Sequence, residues 1–124
     1  MTQGAHRVLI VDDEPNIVIS LEFLMKKEGF AVAVAGDGDA ALEQVAAFNP
    51  DLVLLDVMMP KKSGYEVCQA IKADPARAAV KVVMLTAKGR ESEVAKGLAL
   101  GADAYVTKPF ATKDLVAKVR SMLA

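Results

Sequence analysis

Short apolar runs alternate with longer segments of helical spacing five times along this chain, and that alternation is what most limits its fold. Arg7 to Val11 reads as a strand, with Val8, Leu9, Ile10 and Val11 continuous. Pro15 to Glu28 follows with apolar residues at helical intervals (Ile17, Leu21, Leu24, Met25) and stops at Gly29. The same pair recurs as strand Phe30–Ala35 with helix Asp39–Phe48, and as strand Leu52–Leu55 with helix Gly64–Ala73. It recurs again as strand Lys81–Leu85 with helix Glu91–Leu100, and as strand Ala104–Thr107 with helix Thr112–Leu123. Thr112 stands where an N-cap is expected. Asn49-Pro50 and Asp74-Pro75 break the second and third helices. Strands that are apolar on consecutive residues must be covered on both faces, so the pattern predicts an α/β fold: a parallel sheet with helices on each side.

The chain has 124 residues, the size of one domain, and folding should bury roughly two thirds of the unfolded surface. Residues 1–124 are expected to form a single domain, with no internal repeat and no linker-like stretch. No apolar run approaches the ~18 residues of a membrane span, and Met1 to His6 lacks the pattern of a signal peptide. Lys and Arg total 15 against 16 Asp and Glu, for a net charge of −1. That balance gives no reason to expect nucleic acid as a direct partner, nor a membrane. The lone cysteine, Cys68, excludes an internal disulfide and reads as a small buried hydrophobe. Together these features point to the cytoplasm.

In open parallel sheets, sites form at the C-terminal ends of the strands. Those ends carry Asp12-Asp13-Glu14, Asp56, Thr86 and Lys108-Pro109. Carboxylates brought together repel, so a cation must join them or one must take a proton. Mg²⁺ (or Mn²⁺) suits such a set, because it prefers oxygen ligands and pairs readily with phosphate oxygens. Lys108 can meet a phosphate oxygen as a point charge, and Thr86 can donate a hydrogen bond to another. A carboxylate such as Asp56 can act as nucleophile toward phosphorus.

Each residue also has an ordinary reading. Asp12 to Glu14 precede Pro15 at a helix start, where acids favour the macrodipole. Asp56 could cap a loop, Thr86 could be a loop hydroxyl, and Lys108 a solvated surface lysine. None of these explains why all four groups end strands of one sheet. A rival motif is Gly36-Asp37-Gly38-Asp39-Ala40-Ala41, which fits a dinucleotide fingerprint, with the acid Asp56 twenty residues on. It leaves Asp12, Asp13, Thr86 and Lys108 without a role.

The stretches Val8-Leu9-Ile10-Val11-Asp12-Asp13-Glu14, Asp51-Leu52-Val53-Leu54-Leu55-Asp56 with Met59-Pro60, Leu85-Thr86-Ala87, and Gly101-Ala102-Asp103-Ala104-Tyr105 through Lys108-Pro109-Phe110 resemble the receiver domain of bacterial two-component response regulators. The resemblance runs from about Arg7 to Leu123. It implies a doubly wound, flavodoxin-like (βα)5 sheet with strand order 2-1-3-4-5. It implies Asp56 as phosphoacceptor, with Asp13 holding Mg²⁺ directly, Asp12 through water, and the Met58 backbone carbonyl as a further ligand. Thr86 and Lys108 would sense the phosphate, Tyr105 would be the ring that moves inward with Thr86, and the Lys108-Pro109 bond would be cis. A sensor histidine kinase or histidine phosphotransfer protein would supply the phosphoryl group, and a downstream protein effector of unknown identity would read the switched face of helix 4, strand 5 and helix 5. The chain would be a switch and not an enzyme, beyond assisting its own phosphorylation and dephosphorylation. One stretch departs from the family's usual loop: Lys61-Lys62-Ser63-Gly64 is more basic. Met58 and Lys88 stand two residues after Asp56 and Thr86, where the family tunes access to the phosphate. A rival reading, a phosphatase with Asp56 as nucleophile, would need a general acid at Met58.

Overall fold

The computed structural model describes residues 6–57, 59, 63–87 and 91–123, without the side chains of Ala87, Glu91, Glu93 and Val94. In order these form β1 (Arg7–Val11), α1 (Pro15–Lys27), β2 (Ala31–Ala35), α2 (Gly38–Phe48), β3 (Leu52–Asp56), α3 (Gly64–Ala73), a single 3-10 turn at Pro75–Arg77, β4 (Lys81–Ala87), α4 (Glu91–Ala99), β5 (Ala104–Lys108) and α5 (Thr112–Leu123). The sheet is wholly parallel, with order β2-β1-β3-β4-β5. This is the five-stranded, flavodoxin-like arrangement.

Strand alternation divides the core into two layers. Leu9, Val11, Val53, Leu55, Val82 and Met84 point to the side covered by α2 and α3. Val8, Ile10, Leu52, Leu54, Val83 and Leu85 point to the side covered by α1 and α5. The central strands are therefore apolar on consecutive residues because both of their faces are buried. Helix α4 lies over β4 on the α2–α3 side, and a Cβ at Gly97 would stand 3.4 Å from Met84 Cγ.

Where boundaries differ from the sequence reading, hydrogen bonds account for it. Strand β2 starts at Ala31 because the Phe30 amide donates to Met25 O and the Gly29 amide to Lys26 O, closing α1 with Gly29 at φ +91°. Strand β4 runs two residues past Leu85 because Thr86 and Ala87 pair with Thr107 and Lys108 of β5. Thr112 is the first helical residue and not the cap, since Leu115 N–H bonds back to Ala111 O. After the break at Asp74-Pro75 the chain adds the turn at Pro75–Arg77, which Asp74 caps by accepting from Ala76 N–H at 2.9 Å.

Candidate functional site

Register brings the predicted residues together. Val11 pairs with Leu55, so Asp12 and Asp56 emerge side by side from the two central strands. Carboxylate oxygens of Asp12, Asp13 and Asp56 lie within 4.8 Å of one another. Asp12 and Asp56 are buried and Asp13 is exposed, so the cluster opens outward through Asp13.

Lys108 reaches into this cluster from the end of β5. Its Nζ stands 2.8 Å from Asp12 Oδ2, 3.2 Å from Glu14 Oε1 and 3.6 Å from Asp56 Oδ1. Burial works against the ammonium charge. The hydrogen bond to Asp12, the charges of Asp56 and Asp12, and the hydrogen bond to Glu14 outweigh it, and hold the Lys108 pKa above its ordinary 10.5. Both oxygens of Asp12 are engaged: Oδ2 accepts from the ammonium and Oδ1 accepts from Glu14 N–H at 2.9 Å. The Lys108–Pro109 peptide bond is cis.

Thr86 is buried in β4, one residue past the level of Asp56, which pairs with Leu85. Alternation puts Asp12, Asp56 and Lys108 in phase with the α1–α5 layer, whereas Thr86 is in phase with Met84 and the α2–α3 layer. Tyr105 of β5 pairs with Met84 of β4 and shares that second face, with the residue 44% exposed. Met58, the predicted carbonyl ligand, lies outside the described residues, as do Pro60, Lys61 and Lys62.

Two residues at the site carry roles there that their place in the sequence motifs does not give. Glu14 is the N-cap of α1, but its side chain makes no capping bond and turns to Lys108 instead. Pro15 at the first helical position is the clue, because it fixes Glu14 outside the helix beside the strand end. Gly64 opens α3 against the end of β3. A Cβ there would stand 2.3 Å from the Asp56 backbone oxygen, and its amide donates to Val57 O at 2.9 Å. The dinucleotide motif has a structural role: Asp37 caps α2 by accepting from Ala40 N–H at 2.8 Å. That puts a carboxylate where a pyrophosphate would need free amides.

The model for "Response regulator receiver domain" matches residues 8–120. The chain belongs to that family. Among relatives, it is 49% identical over 117 residues to "DNA-binding response regulator MtrA" of Mycolicibacterium smegmatis, covering 94% of this chain and 50% of that protein. The receiver thus spans about half the length of the curated relatives it matches. A crystal structure of a response regulator from Chloroflexus aurantiacus superposes with TM-score 0.92 at 34% identity, covering 96% of this chain and 98% of that one. Chemotaxis response regulator CheY4 of Vibrio cholerae gives TM-score 0.89 at 27% identity, covering 95% and 98%. Receiver domains are the signalling switches of two-component systems, and response regulators partner with histidine kinases. No helix among the described residues is long and apolar enough to cross a membrane.

Proposed function

We propose that residues 1–124 form one receiver domain that accepts a phosphoryl group on Asp56 from a sensor histidine kinase or a histidine phosphotransfer protein, in the cytoplasm. The observation that carries this reading is the oxygen cluster of Asp12, Asp13 and Asp56 with Lys108 among its carboxylates. An all-oxygen, carboxylate set suits a hard divalent cation, Mg²⁺ or Mn²⁺. Asp13 and Asp56 would hold the ion directly. Asp12, whose oxygens already serve Lys108 and the Glu14 amide, would hold it through water. When bound, such an ion supplies positive charge to the phosphoryl oxygens.

The chain's own groups do the rest. An Asp56 oxygen forms the new P–O bond as the P–N bond to the donor imidazole breaks, and the freed imidazole nitrogen takes up a proton. Lys108 meets the charge that spreads over the phosphoryl oxygens. Thr86 donates its hydroxyl to one of them from the opposite face of the sheet. Tyr105, on the same face as Thr86, turns inward as Thr86 shifts. That biases two conformations of the α4–β5–α5 surface, which a downstream protein reads. A coupling of about 1–3 kcal/mol changes partner affinity roughly 5- to 150-fold. Hydrolysis of the acyl phosphate, assisted by the same groups, resets the switch.

The test is intact mass after incubation with Mg²⁺ and acetyl phosphate, for wild type and Asp56→Ala. One added phosphoryl group, lost without the metal and in the variant, is the expected result. A folded wild type that gains no mass from an active donor would leave only an interaction module.

A further inference from the structure

The geometry points to a specific task for Glu14: its carboxylate competes with an incoming phosphoryl group for the Lys108 ammonium and so restrains the loading of Asp56. This rests on the acceptor reading proposed above. The Glu14 side chain caps nothing in its own helix, and its Oε1 lies 3.2 Å from Lys108 Nζ. An ammonium has three donors. Among the described residues, this one gives hydrogen bonds to Asp12 at 2.8 Å and Glu14 at 3.2 Å, while Asp56 stands at ion-pair distance, 3.6 Å. A phosphoryl group arriving at Asp56 brings three strong acceptor oxygens, which draw on the donors already given as well as on the third.

Only one of the three carboxylates can step aside. Asp12 is buried and tied through its other oxygen to the Glu14 amide, so losing the ammonium would leave a buried charge poorly paired. Asp56 is itself the acceptor. Glu14 has a side chain 61% exposed, and water can solvate it once it lets go. The charge balance points the same way. Four carboxylates against one ammonium and one divalent ion leave a single surplus negative charge, and Glu14 carries it at the outer edge. That charge faces a donor that is itself anionic. Glu14 is therefore a restraint on phosphorylation and not part of its machinery.

The measurement compares wild type, Glu14→Gln and Glu22→Gln. Glu22 pairs with Lys26 farther along α1, so its substitution removes the same charge away from the site. Three quantities are read: the rate of phosphorylation by acetyl phosphate, the affinity for beryllofluoride with Mg²⁺, and the affinity for Mn²⁺ alone by electron paramagnetic resonance. E14Q should be phosphorylated roughly 2- to 5-fold faster and bind beryllofluoride tighter by a similar factor, the size of an exposed charge interaction. Its Mn²⁺ affinity should stay within about 2-fold of wild type, and E22Q should match wild type in all three. An E14Q rate no higher than that of E22Q removes the restraint. A several-fold loss of Mn²⁺ affinity in E14Q also removes it, by making Glu14 a holder of the metal. A wild type that takes no phosphoryl group takes the acceptor reading down as well, whereas a wild type that is phosphorylated at the same rate as E14Q loses the restraint alone.

Discussion

Replacing Gly64 with alanine should lower stability and slow the phosphorylation proposed for Asp56, because α3 begins in direct contact with the backbone of Asp56. The added Cβ would fall 2.3 Å from the Asp56 carbonyl oxygen and 2.9 Å from Val57 Cα. Both contacts are backbone, so no side chain can rotate away. Reaching even the shortest tolerated contact requires the helix start and the end of β3 to part by about 0.7 Å in a close-packed interior. Overpacking of this kind costs about 1–3 kcal/mol. The entropy that alanine removes from the unfolded chain returns only about 0.4–1 kcal/mol. The net loss of roughly 1–2 kcal/mol should lower Tm by about 4–10 °C for a domain of this size. Displacing the acceptor carboxylate by a comparable distance should slow phosphorylation by acetyl phosphate about 10- to 100-fold. Gly36 is the control: nothing lies within 4 Å of its Cβ position and its φ is not left-handed, so Gly36→Ala should stay within about 0.5 kcal/mol of wild type. Thermal melts and intact-mass time courses would measure both effects. A G64A protein that melts with wild type and loads at the same rate would refute the claim that this contact fixes Asp56.

Lys108 has a raised pKa, so its contribution to stability is fully present below its unfolded value of 10.5 and fades as pH rises through the higher folded value. In urea titrations without metal, the gap between wild type and Lys108→Met should hold from neutral pH to about pH 10 and then close; a gap that widens with pH would contradict the pairing. Burial raises the Cys68 thiol pKa, the nearby Lys72 ammonium opposes this, and Asp103 adds to it. Cys68 is fully buried, so iodoacetamide should alkylate it at least ~100-fold more slowly in the native state than in urea, and rapid native alkylation would contradict its place in the core. Beryllofluoride with Mg²⁺ should change hydrogen exchange more along α4 and β5 than along α1, since Thr86 and Tyr105 share the α4 side of the sheet; a change confined to α1 would contradict the switching route.

The fold is legible in the sequence wherever burial is two-sided. Val8–Val11 and Leu52–Leu55 leave a central parallel strand as the only comfortable solution, and α3 and α5 carry apolar residues on one face. What is not legible depends on partners distant in sequence. Phe30 looks like a strand residue by composition, but its amide is taken by Met25 O in the closing turn of α1. Ala87 extends β4 only because Lys108 lies opposite it. The site follows the same division. Asp12, Asp56, Thr86 and Lys108 can be chosen because each ends a strand, whereas the turn of Glu14 toward Lys108 spans 94 residues of sequence. Gly64 looks like any helix-opening glycine until the backbone of β3 is placed beneath it.

The division of the strand ends between two faces bears on how such a switch can work. Asp12, Asp56 and Lys108 are in phase with the α1–α5 layer, and Thr86 and Tyr105 with the layer beneath α4. A phosphoryl group on Asp56 would stand at the edge of the sheet, where both faces are within its reach. The ammonium can meet it from one side and the hydroxyl from the other, so the groups that stabilise the charge need not be the groups that move. Lys108 is anchored to buried Asp12 and has little freedom. Tyr105 is 44% exposed on an edge strand, with room to change position. Rigid chemistry on one face and a movable ring on the other is what a sheet can provide when neighbouring strands end out of phase. Glu14, exposed beside the rigid face, is then the one Lys108 partner among the described residues placed to yield without disturbing either, as the proposed restraint requires.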